Sequence, residues 1–236
     1  MSYLYHTIFF DPLYNLLITF FRVMPWADAG VVVILTTILV RLVLYPLSRK
    51  AVVTQLKMNE IAPELEAIKT KYKDKSEEQA RKTLELYKEK NINPFSGIFM
   101  IIIQIPLVIA LYQIFLHLPA VNPEFLYSFI QAPTEIKTAF LGLFDVSGKS
   151  IIIAFLAALS SFFQLYISSR NQNVPKGDSF SDNLTRSMQS QMKYLFPVIM
   201  FFISYNVSGV VGLYFLTTNV FSAVQEMFIR RKPLTA

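Results

Sequence analysis

Four long apolar stretches alternate with segments that carry most of the charge. They cover residues 29–47, 95–116, 151–167 and 194–229. A helix that crosses a bilayer needs about 20 mostly apolar residues, so each of the first three stretches fits one span and the fourth fits two. Residues 206–209 predict a turn between those two. Because the strict alternation of barrel strands is missing, helices remain the way to satisfy the backbone in lipid. We predict an all-α polytopic membrane protein with five transmembrane helices.

The distribution of Lys and Arg predicts the orientation. Segment 49–92 holds 11 of the 22 basic residues, segment 168–193 holds four, and the tail after the last span holds three. Those three segments fall on one side of the membrane and together carry 18 basic residues, against three on the other side. Basic residues concentrate on the cytoplasmic side of membrane proteins. We therefore expect the N-terminus outside the cell and the C-terminus in the cytoplasm.

Residues 1–28 precede the first span and predict an extracytoplasmic amphipathic helix. Asp11 followed by Pro12 is typical of a helix start, and apolar residues follow at helical spacing. We expect this helix to lie in the outer membrane interface. A cleaved signal peptide is the alternative, although the segment lacks a basic beginning.

The large cytoplasmic segment, 49–92, predicts a helical hairpin. It mixes 11 basic with eight acidic residues, and Pro63 predicts a break in its first helix. One interpretation is a solvated spacer. The other is a docking element whose apolar positions contact a partner or the membrane: Leu56, Ile61, Leu65 and Ile68. Segment 168–193 is predicted to form a second cytoplasmic loop within the five-span core, which covers residues 29–236.

Composition excludes several functions. Apolar residues make up 53% of the chain and charged residues 16%, against about 25% charged in soluble domains. The absence of cysteine excludes disulfides and thiolate sites, and the two histidines, His6 and His117, fall near the predicted outer boundary. We therefore expect no enzyme activity, no metal and no cofactor. The net charge of +6 follows from the cytoplasmic segments, so it indicates a membrane surface and no nucleic acid partner.

Arg41 is the one ionisable residue well inside a predicted span. A charge at the centre of a membrane helix costs roughly 2.5–3.5 kcal/mol on insertion scales. At about 1.5 Å of rise per residue, Arg41 lies roughly 18 Å from the outer end of its helix. It is therefore in the cytoplasmic half. Snorkelling to the inner interface is one interpretation, and a polar cavity is the other.

Polar stripes on other spans favour the cavity. Thr37 precedes Arg41 by one turn, and Gln104 with Tyr112 marks the second span. The remaining stripes are Ser160, Gln164 and Ser168 on the third span, and Tyr214, Thr218, Ser222 and Gln225 on the fifth. Hydrogen bonds between helices explain any single stripe. Several stripes around one Arg predict a wet, cationic cavity that opens to the cytoplasm and suits a partner of negative charge.

These motifs also carry a family resemblance that covers nearly the whole chain. In the first span, the motif runs from Thr37 to Leu47, contains Arg41 and ends in Tyr-Pro-Leu. In the second, Asn93-Pro94 precedes the span and Gln104 and Pro106 lie within it. In the last, the motif runs from Ser208-Gly209 to Asn219. In their order and spacing these motifs resemble the YidC/Oxa1/Alb3 family of membrane protein insertases.

The resemblance implies a groove that is open to the cytoplasm and to lipid and is closed outside. It also implies that the hairpin helps to recruit clients. Phe215 stands where Tyr or Trp is common in the family. The expected groove residues are Arg41, Thr37, Gln164, Tyr214 and Phe215 from the resemblance, together with Gln104 and Thr218 from the stripes.

The sequence therefore predicts an insertase and chaperone in the bacterial plasma membrane that works without ATP. It would pass the hydrophilic tail of a nascent membrane protein through the groove and release its apolar segment into lipid. Expected partners are nascent membrane proteins, membrane lipid, the Sec translocon and the ribosome. The short tail after the last span is expected to add little direct ribosome binding. A small-anion transporter or channel is the alternative, and a structural assembly subunit is the third reading.

Overall fold

The structure is a computed structural model that describes residues 2–117, 120–169 and 180–231. Ten α-helices account for most of these residues, which confirms the all-α class. They are α1 (Ser2–Tyr5), α2 (Asp11–Val23), α3 (Ala29–Val43), α4 (Tyr45–Glu60), α5 (Ala62–Lys71), α6 (Ser76–Glu89), α7 (Ser96–His117), α8 (Ile151–Ser169), α9 (Phe180–Val207) and α10 (Gly209–Arg231). The other elements of secondary structure in the described residues are a π-helical turn (His6–Phe10), a 3₁₀ turn (Pro123–Phe125) and the two short strands β1 (Ala139–Phe140) and β2 (Phe144–Asp145).

The first predicted span is shorter than expected, because the helix ends at Val43. The chain bends by 66° between α3 and α4. Pro46 explains the bend, since a proline removes one helical N–H and its ring clashes with the carbonyl four residues earlier. The 29–47 stretch is therefore one apolar helix of 15 residues followed by the first turn of a second helix with a different direction.

Helix lengths support part of the predicted span count. In the described residues, α8 alone is long and apolar enough to cross a bilayer, and the α3–α4 pair passes the same test if it is counted as one broken span. Two shorter apolar stretches cover Ile102–His117 in α7 and Lys193–Val207 in α9. Five spans remain a prediction. Part of the predicted loop 168–193 is helical, because α9 begins at Phe180.

The predicted turn in the last apolar stretch is confirmed, since α9 ends at Val207 and α10 begins at Gly209. Small residues then let α10 approach α8 closely. A Cβ atom at Gly212 would lie 2.7 Å from a side-chain carbon of Ile153 on α8. Any larger residue at this position would require the Ile153 side chain to shift. α10 also packs against α3, the helix that carries Arg41.

The α-helix α2 begins at Asp11, as predicted, but the chain before it is also helical from Ser2 onwards, so Asp11 does not act as a cap. Phe10 already has helical backbone angles, and the N–H of Asp11 bonds to the carbonyl of His6 within the π-helical turn. The segment packs against α3 and α7, and its residues Leu17 and Ile18 are fully buried. Its position in the membrane interface remains a prediction.

Asp28 joins this end of the bundle to the loop that precedes α8. One of its carboxylate oxygens accepts the N–H of Val31 at 2.9 Å and so caps α3, while the other accepts the N–H of Leu141 at 2.9 Å. The N–H of Ala29 donates to the carbonyl of Lys137 at 2.7 Å. The β1–β2 hairpin is thereby held over the beginning of α3.

The 49–92 segment folds on itself. The predicted break near Pro63 is confirmed, because α4 ends at Glu60 and α5 begins at Ala62. A small apolar cluster has Ile61, Leu86 and Ile92 at its centre, and Met58, Leu65, Ile68 and Tyr87 pack around it. Burial in this cluster raises the pKa of the Tyr87 hydroxyl.

This cluster takes up three of the four apolar positions that one interpretation assigned to a docking surface. Ile61 is 5% exposed, and Leu65 and Ile68 are half-buried in the same cluster, so three of the four positions pack within the hairpin. The periodicity was a signal of internal packing. The exposed face of α6 carries ion pairs such as Lys82–Glu85 at 2.7 Å, whose hydrogen bond lowers the pKa of Glu85. Solvent-exposed pairs of this kind add little stability.

Candidate functional site

Arg41 lies in the last turn of α3 and points into the bundle. It is 8% exposed, and its Nη2 donates to Oε1 of Gln104 on α7 at 2.8 Å. Among the described residues, no carboxylate lies within ion-pair distance of Arg41. The described hydrogen-bond partner of the guanidinium is therefore a neutral amide, and none of the described acidic side chains balances its charge.

Gln104 continues the contact to a third helix. Its Nε2 donates to the hydroxyl oxygen of Tyr214 on α10. The orientation of this amide follows from chemistry, because an arginine offers only donors and so requires the amide oxygen. The resulting chain, Arg41–Gln104–Tyr214, connects α3, α7 and α10 and is called the polar chain below.

Other predicted groove residues surround the polar chain. The ring of Phe215 meets that of Tyr214 edge-on, with 5.5 Å between centroids. Thr218 is buried one turn beyond Tyr214. Thr37 is buried one turn before Arg41, and its hydroxyl donates to the carbonyl of Val33 at 2.7 Å. These threonines provide small polar walls and hold no charge.

The described hydrogen bonds do not connect Thr37 to the polar chain, and the same is true of Gln164. Gln164 is half-buried on α8. A different residue links α8 to α10: Nδ2 of Asn219 donates to the hydroxyls of Ser160 at 3.1 Å and Ser161 at 2.7 Å. We did not include Asn219 among the expected site residues. Its signal was its position one residue after Thr218, within the polar stretch of α10.

A second polar layer lies towards the predicted cytoplasmic end. Nε2 of Gln225 donates to the hydroxyl of Ser48 at 2.7 Å, which joins α10 to the first turn of α4. Farther along α4, Nε2 of Gln55 donates to the hydroxyl of Ser168 at 3.2 Å, which joins α4 to the end of α8. The base of the hairpin is therefore fixed to two helices of the core.

The same layer contains an ion pair that sequence reasoning missed. Nη2 of Arg230 lies 2.7 Å from Oε1 of Glu226, and the Glu226 side chain is 5% exposed. Arg230 also donates to the carbonyl of Ser168 at 2.9 Å, which satisfies the C-terminal end of α8. The i,i+4 spacing of the two residues was the available signal. Arg230, one of the three basic residues counted in the tail, is therefore engaged within the protein.

The chemistry of the site is electrostatic. Groups of three or more His, Cys, Asp or Glu side chains that could hold a metal are absent from the described residues. In the part of the chain that the structure describes, the polar chain presents one positive charge without an acidic partner, next to hydroxyl, amide and aromatic groups. Such an arrangement can attract and orient an anionic group.

A comparison with known protein families decides the assignment. The family model described as "60Kd inner membrane protein" matches residues 20–235. The chain belongs to this family, the YidC/Oxa1 family of membrane proteins. The match confirms the resemblance found in the sequence motifs.

Curated relatives cover most of the chain. "Membrane protein insertase YidC" of Clostridium tetani is 28% identical over 207 residues, which are 88% of this chain and 84% of the relative. The protein of that name in Fusobacterium nucleatum is 28% identical over 205 residues, with 86% of each chain covered. The one in Caulobacter vibrioides is 30% identical over 95% of this chain but only 36% of its own length. The match therefore spans most of the length of the first two relatives and about a third of the length of the last.

Proposed function

We propose that the protein inserts membrane proteins, with Arg41 as the residue that receives the polar tail of the client. The observation that carries this proposal is the buried Arg41, whose guanidinium has a neutral amide as its hydrogen-bond partner. A purely structural arginine at this depth would be expected to have a carboxylate partner. The names of the curated relatives support the same function.

The proposed mechanism divides one difficult crossing into two steps. A polar tail first enters between the helices from the cytoplasm, where Arg41 attracts its negative charge and the polar chain replaces part of its water. The apolar segment that follows then moves into lipid, with a gain of about 0.3–0.6 kcal/mol for each Leu-like residue. Because this partition releases free energy, the step requires no ATP.

The remaining groove residues and partners take supporting roles in this proposal. Six residues line the path of the tail: Thr37, Gln104, Gln164, Tyr214, Phe215 and Thr218. The surrounding lipid receives the released apolar segment. The hairpin recruits the nascent chain on the cytoplasmic side, where the ribosome and the Sec translocon deliver it. The attachment of α4 to α8 and α10 supports this role, since it fixes the base of the hairpin to two of the helices that carry the proposed groove residues.

The proposed topology predicts a simple labelling result. Because the chain has no cysteine, Ser76→Cys introduces a single thiol at the exposed start of α6. We expect an impermeant thiol reagent to label it only after the cells are opened. Ser147→Cys, in the exposed loop before α8, is the matched control and should react in intact cells. Labelling of Ser76→Cys in intact cells would contradict the predicted orientation.

Reconstitution into liposomes tests the proposed activity. We expect the purified protein to insert a client with a short polar tail in the absence of ATP, and to give no flux of small anions. An anion flux without insertion would favour the transporter alternative. Failure of both would favour a structural subunit.

A further inference from the structure

Gln104 does more than line the proposed groove, because its side chain bonds directly to Arg41 and Tyr214. Its amide oxygen faces the guanidinium of Arg41 at 2.8 Å, and its amide nitrogen is held by the hydroxyl oxygen of Tyr214. Two neighbouring helices thus fix the amide in the orientation that accepts from arginine. Gln104 therefore occupies the position that a ligand of Arg41 would take.

This partner is a weak one. A guanidinium has more N–H donors than the nearby oxygens of Gln104 and Tyr214 can accept. A carboxylate accepts two parallel N–H bonds from arginine, and charge-assisted bonds are roughly twice as strong as neutral ones. A carboxylate should therefore displace the amide from Arg41. A neutral amide or hydroxyl of a client should only compete with Gln104 on equal terms.

We infer that Gln104 is a specificity-determining residue, which occupies Arg41 until a client carboxylate replaces it. The inference rests on the proposed function and adds a selection step to it. Tails with Asp or Glu displace the amide and enter, whereas neutral tails gain little from Arg41 while Gln104 is bound. Tyr214 retains the displaced amide through its nitrogen, so the resting contact can re-form after release.

Two substitutions test this role. Gln104→Glu has nearly the same shape but supplies a permanent carboxylate to Arg41. We expect the ratio of acidic-tail to neutral-tail insertion to fall at least tenfold, which corresponds to about 1.4 kcal/mol. Gln104→Met removes the competing acceptor, so the acidic-tail client should still insert and the neutral-tail client should insert better than with the wild type.

A structural role predicts a different result for Gln104→Met. If Gln104 only holds Arg41 in place, Gln104→Met should lose both clients, while Gln104→Glu would still lower acidic-tail insertion because its carboxylate neutralises Arg41. Gln113→Glu is the matched control on the same helix. The Gln113 side chain accepts from the hydroxyl of Tyr5 at 2.6 Å, which a carboxylate also can do, so the client ratio should stay at the wild-type value.

The experiment uses the full chain in liposomes with one client that carries either two or no acidic residues in its tail. Thermal unfolding in detergent checks that each variant is folded. If Gln104→Glu does not fold, the insertion of both clients by Gln104→Met alone tests the inference. An unchanged client ratio in Gln104→Glu, or equal loss of both clients in Gln104→Met, would overturn the inference while the wild type still inserts. Failure of the wild type with both clients would instead overturn the proposed function.

Discussion

Arg41→Ala should reduce the insertion of clients with acidic tails far more than that of clients with neutral tails. An ion pair at contact is worth about 4 kcal/mol at an effective dielectric constant of ~20, before the cost of desolvation. That value is an upper limit, but a fraction of it is enough to change insertion by an order of magnitude. Neutral tails lose less, because the hydroxyl and amide groups next to Arg41 remain.

Arg41→Lys is the control for this prediction. Lysine keeps the positive charge but lacks the planar fork of arginine, so it should retain much of the acidic-tail insertion. The measurement compares one client with two or no acidic residues in its tail, inserted by the wild type and both variants. Equal loss for both tails would contradict the electrostatic mechanism. No loss for either tail would mean that Arg41 snorkels to the interface.

The second large effect is expected in the hairpin. Leu86 is 7% exposed and lies at the centre of the cluster formed by α4, α5 and α6. Removal of a buried leucine side chain typically costs about 2–5 kcal/mol, and this cluster has only three buried members. Leu86→Ala should therefore loosen the hairpin, leave the core helices in the membrane and weaken client recruitment.

Limited proteolysis of the membrane-embedded protein, with insertion measured in parallel, checks this expectation. Leu84→Ala is the matched control, because Leu84 lies on the same helix but is 57% exposed. The control should leave the hairpin as resistant to protease as in the wild type. If Leu86→Ala opens the hairpin without any loss of insertion, the hairpin has no role in recruitment. If it removes the protein from the membrane, the hairpin is needed for folding.

The helical architecture and part of the site could be predicted because both depend on local patterns. Apolar length and the turn near Gly209 indicated most of the core helices, and the isolated charge singled out Arg41. Gln104 and Tyr214 were found because polar residues in an apolar span are rare and usually have partners. The polar stripes predicted a shared cavity around Arg41, and the family resemblance implied a groove that includes Arg41 and Tyr214.

The contacts that sequence reasoning missed depend on which helix face meets which neighbour. Gln164 shares a stripe with Ser160, yet the described hydrogen bonds to α10 come from Ser160 and Ser161. Ile61 has the spacing of a docking face, but its partner Leu86 is on another helix of the same hairpin. Periodicity identifies the apolar or polar face of a helix and contains no information about the partner of that face.

Site-specific crosslinking to a ribosome-bound client tests the central claim, that the polar tail passes beside the polar chain. The cysteine-free chain allows one thiol at Phe215, next to Tyr214, and a matched one at Phe155, which is 58% exposed on α8. A single cysteine in the polar tail of the client provides the second thiol. We expect the tail to crosslink strongly to Phe215→Cys and weakly to Phe155→Cys, with a further loss at residue 215 when Arg41→Ala is added. Equal crosslinking at both positions, unaffected by Arg41→Ala, would contradict the proposed path.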